Sequence, residues 1–339
     1  MRERPTLRSV ALKANVSIAT VSKVVNGIAA GVSEATRKEV EAAIEELGYR
    51  PNRVGRSLRS QRHQAVGLAI VDPSPRFLAD PFTTNLVAGL CNQLNTNGFG
   101  LLLYGVMPGK LSESSLIRQS EVDAICLNPS GTRDEREAAM ELVSGLGQPL
   151  VVFQDRPVQN LQDVCFVRQD DAGGAELLAN EVMKRPRRRA VMVIADIPWP
   201  AVENRVAGFR KVFEARGVQL DLVTCDETDS QAISSGIAGY LDDHGVPDVI
   251  VGQNDQIAIA CIDILTARGL EVPRDVAVTG YNAFPFTGLS RPALATVRSR
   301  AYDVGVTAAS AILERLENGR FRQREYVLPL ELVPGNSAP

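Results

Sequence analysis

The chain has 339 residues, of which 45% are hydrophobic and 23% charged, an ordinary globular composition and a length suited to two or three domains. No run approaches the ~18 consecutive apolar residues that a membrane-spanning helix needs. The segment from Met1 to Lys13 lacks the apolar core of a secretory signal. We therefore expect a cytoplasmic protein with no membrane partner.

Charge is divided unevenly along the chain, although the formal net charge is only −3. Residues 1–64 contain 12 lysines and arginines against 6 acids, whereas the rest of the chain contains 25 against 34. A basic N-terminal segment on an acidic body indicates that the two parts have different partners. An anionic nucleic acid suits the basic part.

The first 50 residues predict three short helices around one small core. Apolar residues at helical spacing begin at Leu7, Ser17 is placed to cap a second helix, and Ser33 to cap a third that ends at Gly48. Short hydroxyl side chains open the second helix after a tight break. This pattern is typical of a helix-turn-helix whose second helix enters the major groove of DNA. The alternative is a generic three-helix packing module.

A cationic linker follows, in which an arginine recurs every third residue from Arg50 to Arg62 with no acid between them. Residues 52–60 can form little more than two helical turns, and Gly55 weakens a helix by ~1 kcal/mol relative to alanine. We expect this segment to be ordered only when an anionic surface or another protein holds it.

Beyond Ala65, apolar runs with strand character alternate with helical stretches. The alternation predicts an α/β fold of parallel sheets with helices on both faces, divided into two subdomains with a ligand cleft at the C-terminal ends of the strands. The predicted strands are 66–71, 101–104, 124–127, 150–153, 190–194, 249–251 and 276–279. The predicted helices are 86–94, 172–183, 205–215, 257–267 and 304–316.

Catalytic chemistry finds little support in the sequence. The five cysteines stand at least 35 residues apart, and the only histidines, His63 and His244, are isolated. A metal site or a Ser-His-Asp triad is therefore hard to build. The segment from Gly105 to Lys110 has three residues between its glycines where a phosphate-binding loop has four. We predict no catalytic residue, no metal site, no cofactor and no enzymatic activity.

From Thr6 to Asn26 the chain resembles the opening signature of the lactose-repressor (LacI/GalR) family of bacterial transcription regulators. Val32-Ser33 and the run from Leu47 to Asn52 match the third helix and its exit, and the run from Val54 to Leu58 resembles the hinge helix, normally V-A-R-S-L. The resemblance continues to about residue 325.

The resemblance implies three parts. Residues 1–50 would form the helix-turn-helix DNA-binding domain, 51–64 the hinge helix and linker, and 65–339 an effector-binding and dimerisation domain built like a periplasmic sugar-binding protein. Within the last part, an N-subdomain would comprise 65–168 and 299–325, and a C-subdomain 169–298 and 326–339.

The resemblance also implies which residues contact DNA. Base reading falls on Ile18, Ala19 and Lys23, although Ile18 also has the spacing of a core residue. Leu58 matches the leucine that relatives insert into the minor groove, with packing on the partner hinge helix as the alternative. The full implied set is Ser17, Ile18, Ala19, Thr20, Ser22, Lys23, Asn26, Asn52, Arg53, Arg56 and Leu58.

A second implied set would bind the effector in the cleft: Phe82, Thr83, Asp155, Trp199, Arg205, Asn254 and Asn282. Thr83 stands where the family has an aromatic residue and Asn282 where it usually has an aspartate. The ligand is therefore expected to present different groups from those of a typical sugar. Trp199 is expected either to stack on a ligand ring or to pack in the core, and Asp255 only to cap the following helix.

The sequence thus predicts a bacterial, nucleoid-associated repressor that binds a pseudo-palindromic operator in double-stranded DNA as a homodimer. A small-molecule effector, a carbohydrate or related metabolite, would control its affinity. The alternative is a cytoplasmic sugar-binding or sugar-processing protein with a vestigial DNA-binding head.

Overall fold

A computed structural model describes residues 5–25, 27–28, 30–50, 62–119, 121–227 and 229–338 of the chain. These residues form two compact units, Met1–Gln64 and Ala65–Pro339. Asn26 and the hinge segment with Asn52, Arg53, Arg56 and Leu58 lie outside the described residues.

The first unit contains the three predicted helices, Leu7–Lys13 (α1), Ile18–Val25 (α2) and Glu34–Leu47 (α3). The Ser33 side chain accepts a hydrogen bond from the Thr36 backbone N–H, and Gly48 ends α3 in the left-handed conformation with φ of 60°. Val10, Val21 and Val40, one from each helix, are fully buried in the shared core. The predicted three-helix arrangement is confirmed.

The second unit alternates strands and helices. Its strands are Ala65–Val71 (β1), Gly100–Val106 (β2), Ala124–Asn128 (β3), Leu150–Phe153 (β4), Val164–Gln169 (β5), Arg189–Ala195 (β6), Gln219–Cys225 (β7), Val249–Gly252 (β8), Ala277–Thr279 (β9), Thr296–Arg298 (β10), Glu325–Leu328 (β11) and Glu331–Val333 (β12). Its α-helices are Pro81–Thr96 (α4), Ser115–Arg118 (α5), Arg133–Ser144 (α6), Asp171–Val182 (α7), Pro200–Glu214 (α8), Ser230–His244 (α9), Asp255–Ala267 (α10) and Ala301–Asn318 (α11).

Two parallel sheets form the two predicted subdomains. The N-subdomain sheet has the order β11-β5-β4-β3-β1-β2, and the C-subdomain sheet has the order β7-β6-β8-β9 with the antiparallel pair β10-β12 as a separate ribbon. Strands are paired parallel throughout both larger sheets. Separate apolar clusters lie on the two faces of each sheet, as expected for sheets covered by helices.

The subdomain boundary predicted at about residue 325 falls at the start of β11. This strand pairs in parallel with β5 from Glu325 to Leu328 and therefore extends the N-subdomain sheet. The chain returns to the C-subdomain only after Leu328, where β12 pairs with β10.

Two glycines allow helices α4 and α11 to pack closely in the N-subdomain. A Cβ on Gly89 would collide with the backbone carbonyl of Tyr302, and one on Gly305 would collide with the carbonyl of Leu86. Larger residues would push apart the helices that cover one face of the sheet. None of the helices in the described part of the chain has the length and apolar character needed to cross a lipid bilayer.

Candidate functional site

Helix α2 presents a face suited to contact with another molecule. Ser17 starts the helix, because its hydroxyl accepts the Thr20 backbone N–H at 3.1 Å and lies 2.9 Å from the Thr20 hydroxyl. Ile18 is 46% exposed, so the alternative of core packing does not hold for it. Ala19 and Lys23 are also exposed, whereas Val21 carries the buried side of the helix.

The remaining polar candidates of the first unit serve local structure. The hydroxyls of Ser17 and Thr20 pair with each other, and Thr20 and Ser22 are half-buried. Their contact with a DNA backbone stays a prediction.

A cavity of about 760 Å³ lies between the two sheets of the second unit. Residues that follow the C-terminal ends of strands from both subdomains line it, among them Asp72 after β1, Gln154 after β4 and Asp196 after β6. The carboxyl ends of parallel strands are the usual place for a ligand in such folds. Six of the predicted effector residues line this cavity: Phe82, Thr83, Trp199, Arg205, Asn254 and Asn282.

Asp155 is the exception, because it does not line the cavity, and its contact with an effector stays a prediction. Gln154 has a φ of 61°, which turns the chain at the end of β4. Gln154 thereby lines the cavity, while Asp155 accepts a hydrogen bond from Nε of Arg136 at 2.8 Å outside it. The sequence pattern identified the correct strand end but selected the neighbouring residue.

Arg205 is held by the protein itself. Its Nε lies 2.8 Å from Oδ1 of Asp171, an Nη donates to the Gln253 carbonyl at 2.6 Å, and the guanidinium lies 3.9 Å from the centre of the Tyr281 ring. Arg205 is only 5% exposed. A third donor, Nη2, lies 3.4 Å from Oδ1 of Asn282. Because Asp171 compensates its charge and three of its five N–H donors are used, Arg205 shapes the wall and has two donors left for a ligand.

Asn254 caps the helix that Asp255 was expected to cap, and both residues line the cavity. Oδ1 of Asn254 accepts the Ile257 backbone N–H at 2.9 Å, so Asn254 caps α10. Asp255 is fully buried, and its Oδ1 accepts the Thr296 hydroxyl at 2.6 Å. Its Oδ2 has no hydrogen-bond partner of normal geometry. Burial raises the pKa of Asp255 to about 6, although Thr296 and nearby backbone N–H groups oppose the rise.

Glu227, which sequence reasoning missed, is a central residue of the cavity wall. Its Oε2 accepts hydrogen bonds from Nε2 of Gln253 at 2.7 Å and Nδ2 of Asn254 at 3.0 Å. Burial raises the pKa of Glu227 to about 7, and the negative charges of Asp80 and Asp72 contribute to the rise. The acidic pair Asp226-Glu227 was a signal for a polar strand end, but strand β7, which precedes the pair, was not predicted.

Arg136 connects the two subdomains beside the cavity. Its side chain is 3% exposed and contacts Asp155 of the N-subdomain, while two of its nitrogens bind the Glu203 carboxylate of the C-subdomain at 3.0 and 2.9 Å. The Gly131 backbone N–H also donates to the Pro198 carbonyl at 3.0 Å. We call the Arg136–Asp155–Glu203 group the intersubdomain clamp.

Within the described ranges, no group of three or more histidine, cysteine, aspartate or glutamate side chains is placed to hold a metal ion. The five cysteines are free thiols, and four of them are buried. The cavity offers carboxylates, amides, the guanidinium groups of Arg76 and Arg205 and aromatic rings as groups for binding.

Comparison with known proteins agrees with both units. Residues 6–52 match the family of bacterial regulatory proteins named after lacI, and residues 180–338 match the periplasmic binding protein-like domain. The chain is 30% identical to the HTH-type transcriptional regulator CelR of Thermobifida fusca, with 98% of each chain covered. It is 27% identical to the ribose operon repressor of Bacillus subtilis, with 97% of each covered.

Solved structures give the same result. A complex of the transcriptional regulator CelR with cellobiose superposes with a TM-score of 0.71 at 27% identity, covering 98% of this chain and 100% of that one. The lac repressor dimer bound to operator and the anti-inducer ONPF superposes with a TM-score of 0.85 at 24% identity, with 99% of each chain covered, which supports the fold. The chain therefore belongs to the lacI family of bacterial regulatory proteins, and it is a DNA-binding transcription regulator.

Proposed function

We propose that the protein represses transcription as a homodimer on a pseudo-palindromic operator in the bacterial cytoplasm, and that a small molecule in the 760 Å³ cavity changes its affinity for DNA. We propose no catalytic activity. The observation that carries the proposal is the exposed face of α2, on which Ile18, Ala19 and Lys23 project from a helix whose opposite side is fixed in a core.

These three side chains suit direct contact with base edges. Ile18 and Ala19 can contact thymine methyl groups, and Lys23 can reach guanine O6 and N7 or a phosphate. The positive balance of residues 1–64 adds attraction to the phosphate backbone that is independent of sequence. Short side chains at the start of α2 allow the helix to approach the groove closely.

The cavity supports control by a hydrophilic ligand with a ring. Phe82 and Trp199 lie on its wall beside amide groups such as those of Asn254 and Asn282. Relatives bind or are named after cellobiose and ribose. We propose a carbohydrate or a related metabolite as the effector class.

Control of DNA binding would follow from the position of the cavity. Its wall contains residues of both subdomains, so a ligand that contacts both walls favours one relative placement of the two sheets. That placement would determine whether the hinge segments 51–64 of two protomers can pair and fold on DNA.

The experiment is operator selection followed by a matched substitution. Genomic fragments that the full chain retains define an operator, and fluorescence anisotropy then measures affinity for it and for unrelated DNA. Lys23→Ala should weaken operator binding at least tenfold, about 1.4 kcal/mol, because it removes a base contact. It should change binding to unrelated DNA much less.

Lys38→Ala is the control, since Lys38 is an equally charged lysine of the same unit on α3, 75% exposed in its side chain. Equal losses for Lys23→Ala and Lys38→Ala on both DNAs would count against base reading by α2. Retention of operator binding after deletion of residues 1–64 would instead favour a sugar-binding protein with a vestigial head.

A further inference from the structure

The cavity is lined by far more negative than positive charge. Arg76 and Arg205 are its two cationic lining residues among those described, and Arg205 is already paired with Asp171, which does not line the cavity. The carboxylates on the wall are Asp72, Asp80, Asp196, Asp226, Glu227 and Asp255. A ligand that fills this space meets a strongly negative potential.

These carboxylates face one another across the two subdomains. Asp72 and Asp80 belong to the N-subdomain, whereas Glu227 follows β7 of the C-subdomain. Burial is the main cause of the raised pKa of Glu227, and the charges of Asp80 and Asp72 add to the rise. Any closure of the cleft brings these like charges nearer, so closure is opposed unless a positive charge enters between them.

Asp255 gives a second, independent sign of a missing donor. It lines the cavity and is fully buried, and its Oδ2 accepts no hydrogen bond of normal geometry, although the backbone N–H groups of Ala283 and Phe284 act on the carboxylate and oppose the rise of its pKa on burial. A buried acceptor without a partner costs free energy that a donor on a bound ligand recovers.

Two further features define the body of the ligand. Phe77, Phe82, Trp199, Phe284 and Phe286 contribute rings to the wall, which suits a ligand with an apolar ring face. Three or more metal-ligating side chains do not come together anywhere in the described part of the chain, so an organic cation fits the wall better than a metal ion.

We propose that the effector carries a protonated amine on a body the size of a sugar, and that this ammonium group binds between Asp72 and Asp80 of the N-subdomain and Glu227 of the C-subdomain. The proposal deepens the proposed function, because it names the chemical class of the effector of the same cavity. A neutral sugar can donate hydroxyl hydrogens to these carboxylates, but it does not compensate their negative charges, which continue to repel one another. An amine neutralises them and holds the two subdomains together.

The test is isothermal titration calorimetry of the full chain at pH 7.5, with matched ligand pairs that differ in charge. The amines are glucosamine, galactosamine and the β-1,4-linked dimer of glucosamine. The neutral partners are glucose, galactose, N-acetylglucosamine and cellobiose. At least one amine is expected to bind ten times or more tightly than its neutral partner.

Two variants then locate the ammonium group. Glu227→Gln keeps the shape of the side chain and removes its charge, so it should weaken binding of the amine at least tenfold and binding of the neutral partner by a clearly smaller factor. Glu214→Gln, an exposed acid on α8 away from the cavity wall, is the matched control and should change neither. Circular dichroism verifies that both variants are folded.

A proton signature accompanies binding. The groups that act on Glu227 are Asp80 and Asp72 across the cavity and Arg205 on its own side, with Asp226 next to it in the chain. Its pKa of about 7 falls when an ammonium group binds, so binding near pH 7 should release a proton from Glu227. The observed enthalpy should then depend on the ionisation enthalpy of the buffer, and this dependence should shrink in Glu227→Gln.

Three results would overturn the proposal without affecting the DNA-binding function, which operator affinity measures separately. The first is a neutral sugar that binds as tightly as its amine partner. The second is the absence of binding by every amine of the panel. The third is a rise in the thermal midpoint with Ca²⁺ or Mg²⁺ alone that EDTA reverses and Glu227→Gln abolishes, because it would make the acidic wall a metal site.

Discussion

Arg205 is the residue on which the wall of the cavity depends most directly. The guanidinium group joins Asp171, the carbonyl of Gln253 and the ring of Tyr281 in a volume closed to solvent. An ion pair of this kind is costly to break from one side, because the remaining charge stays buried without a partner.

Arg205→Ala should therefore lower the free energy of unfolding by about 3 to 5 kcal/mol, in urea titrations followed by circular dichroism. Lys211→Ala on the same helix is the control, since its ion pair with Glu176 is largely exposed and should contribute less than about 1 kcal/mol. A loss for Arg205→Ala as small as that of the control would mean that Asp171 is stabilised by other groups. Loss of ligand binding in Arg205→Ala would not by itself prove that Arg205 contacts the ligand, because the substitution also removes a buried ion pair that shapes the wall.

Single residues of the site were predictable from sequence only where a motif fixes them. Arg205, Asn254 and Asn282 line the cavity, and each was predicted from the segment of the family resemblance that contains it. Asp155 does not line the cavity, because the positive φ of the preceding Gln154 reverses the direction of the side chains, and an apolar strand pattern carries no sign of that turn. The charge pairing of Arg205 with Asp171 depends on long-range packing, which spacing does not encode.

At the scale of single elements, one side of helix α2 packs in the core of the first unit, and the other side is exposed and available for contact with DNA. Val21 is fully buried among helices α1 and α3, whereas Ile18, three residues before it, is 46% exposed. The same chemical change on the two sides should therefore affect different properties.

Val21→Ala should lower the free energy of unfolding of the first unit by roughly 1 to 3 kcal/mol, because it removes two buried methyl groups and leaves a cavity. Ile18→Ala should leave this stability within ~0.5 kcal/mol but weaken operator binding. Thermal unfolding and operator anisotropy measure the two effects. If Ile18→Ala destabilised the unit as much as Val21→Ala, the exposed position of Ile18 would be wrong.

Uniform burial made most strands predictable but not all of them, since β5 is buried at five of its six residues and was not predicted. Strands such as β1 and β4 have a continuous apolar run because helices cover both faces of the sheet, and each was predicted within one or two residues. Strand β7, with the sequence QLDLVTC, lies at a sheet edge and is partly exposed, so polar residues interrupt it and it was missed. Glu227 was missed with it, because a residue cannot be assigned to a strand end that is not predicted.

At the scale of the whole molecule, the intersubdomain clamp is the best candidate for a contact that sets how far the cleft opens. Arg136 is buried and has acidic partners in both subdomains, whereas Glu203 is half exposed. Removing the Glu203 carboxylate breaks the ion pair between the two subdomains, while Arg136 stays paired with Asp155 of its own subdomain.

Glu203→Ala should therefore widen the distribution of distances between the two subdomains, measured by double electron–electron resonance between spin labels on α6 and α9. Glu137→Ala is the control, because Glu137 lies on α6 next to Arg136 but pairs with Arg133 of the same helix. An unchanged distance distribution in Glu203→Ala would contradict a role of the clamp in cleft opening.

The segment 325–338 serves both subdomains at once. Strand β11 extends the first sheet beside β5, while Ser337, which is fully buried, accepts the Ala295 backbone N–H and donates to the Val278 carbonyl in the second. During synthesis each lobe therefore lacks a piece of its structure until the segment 325–338 has been made, and the first lobe can be completed only a few residues before the second. A nascent chain of this kind exposes an open sheet edge for longer than one whose domains fold in turn, and it is a natural client for a chaperone.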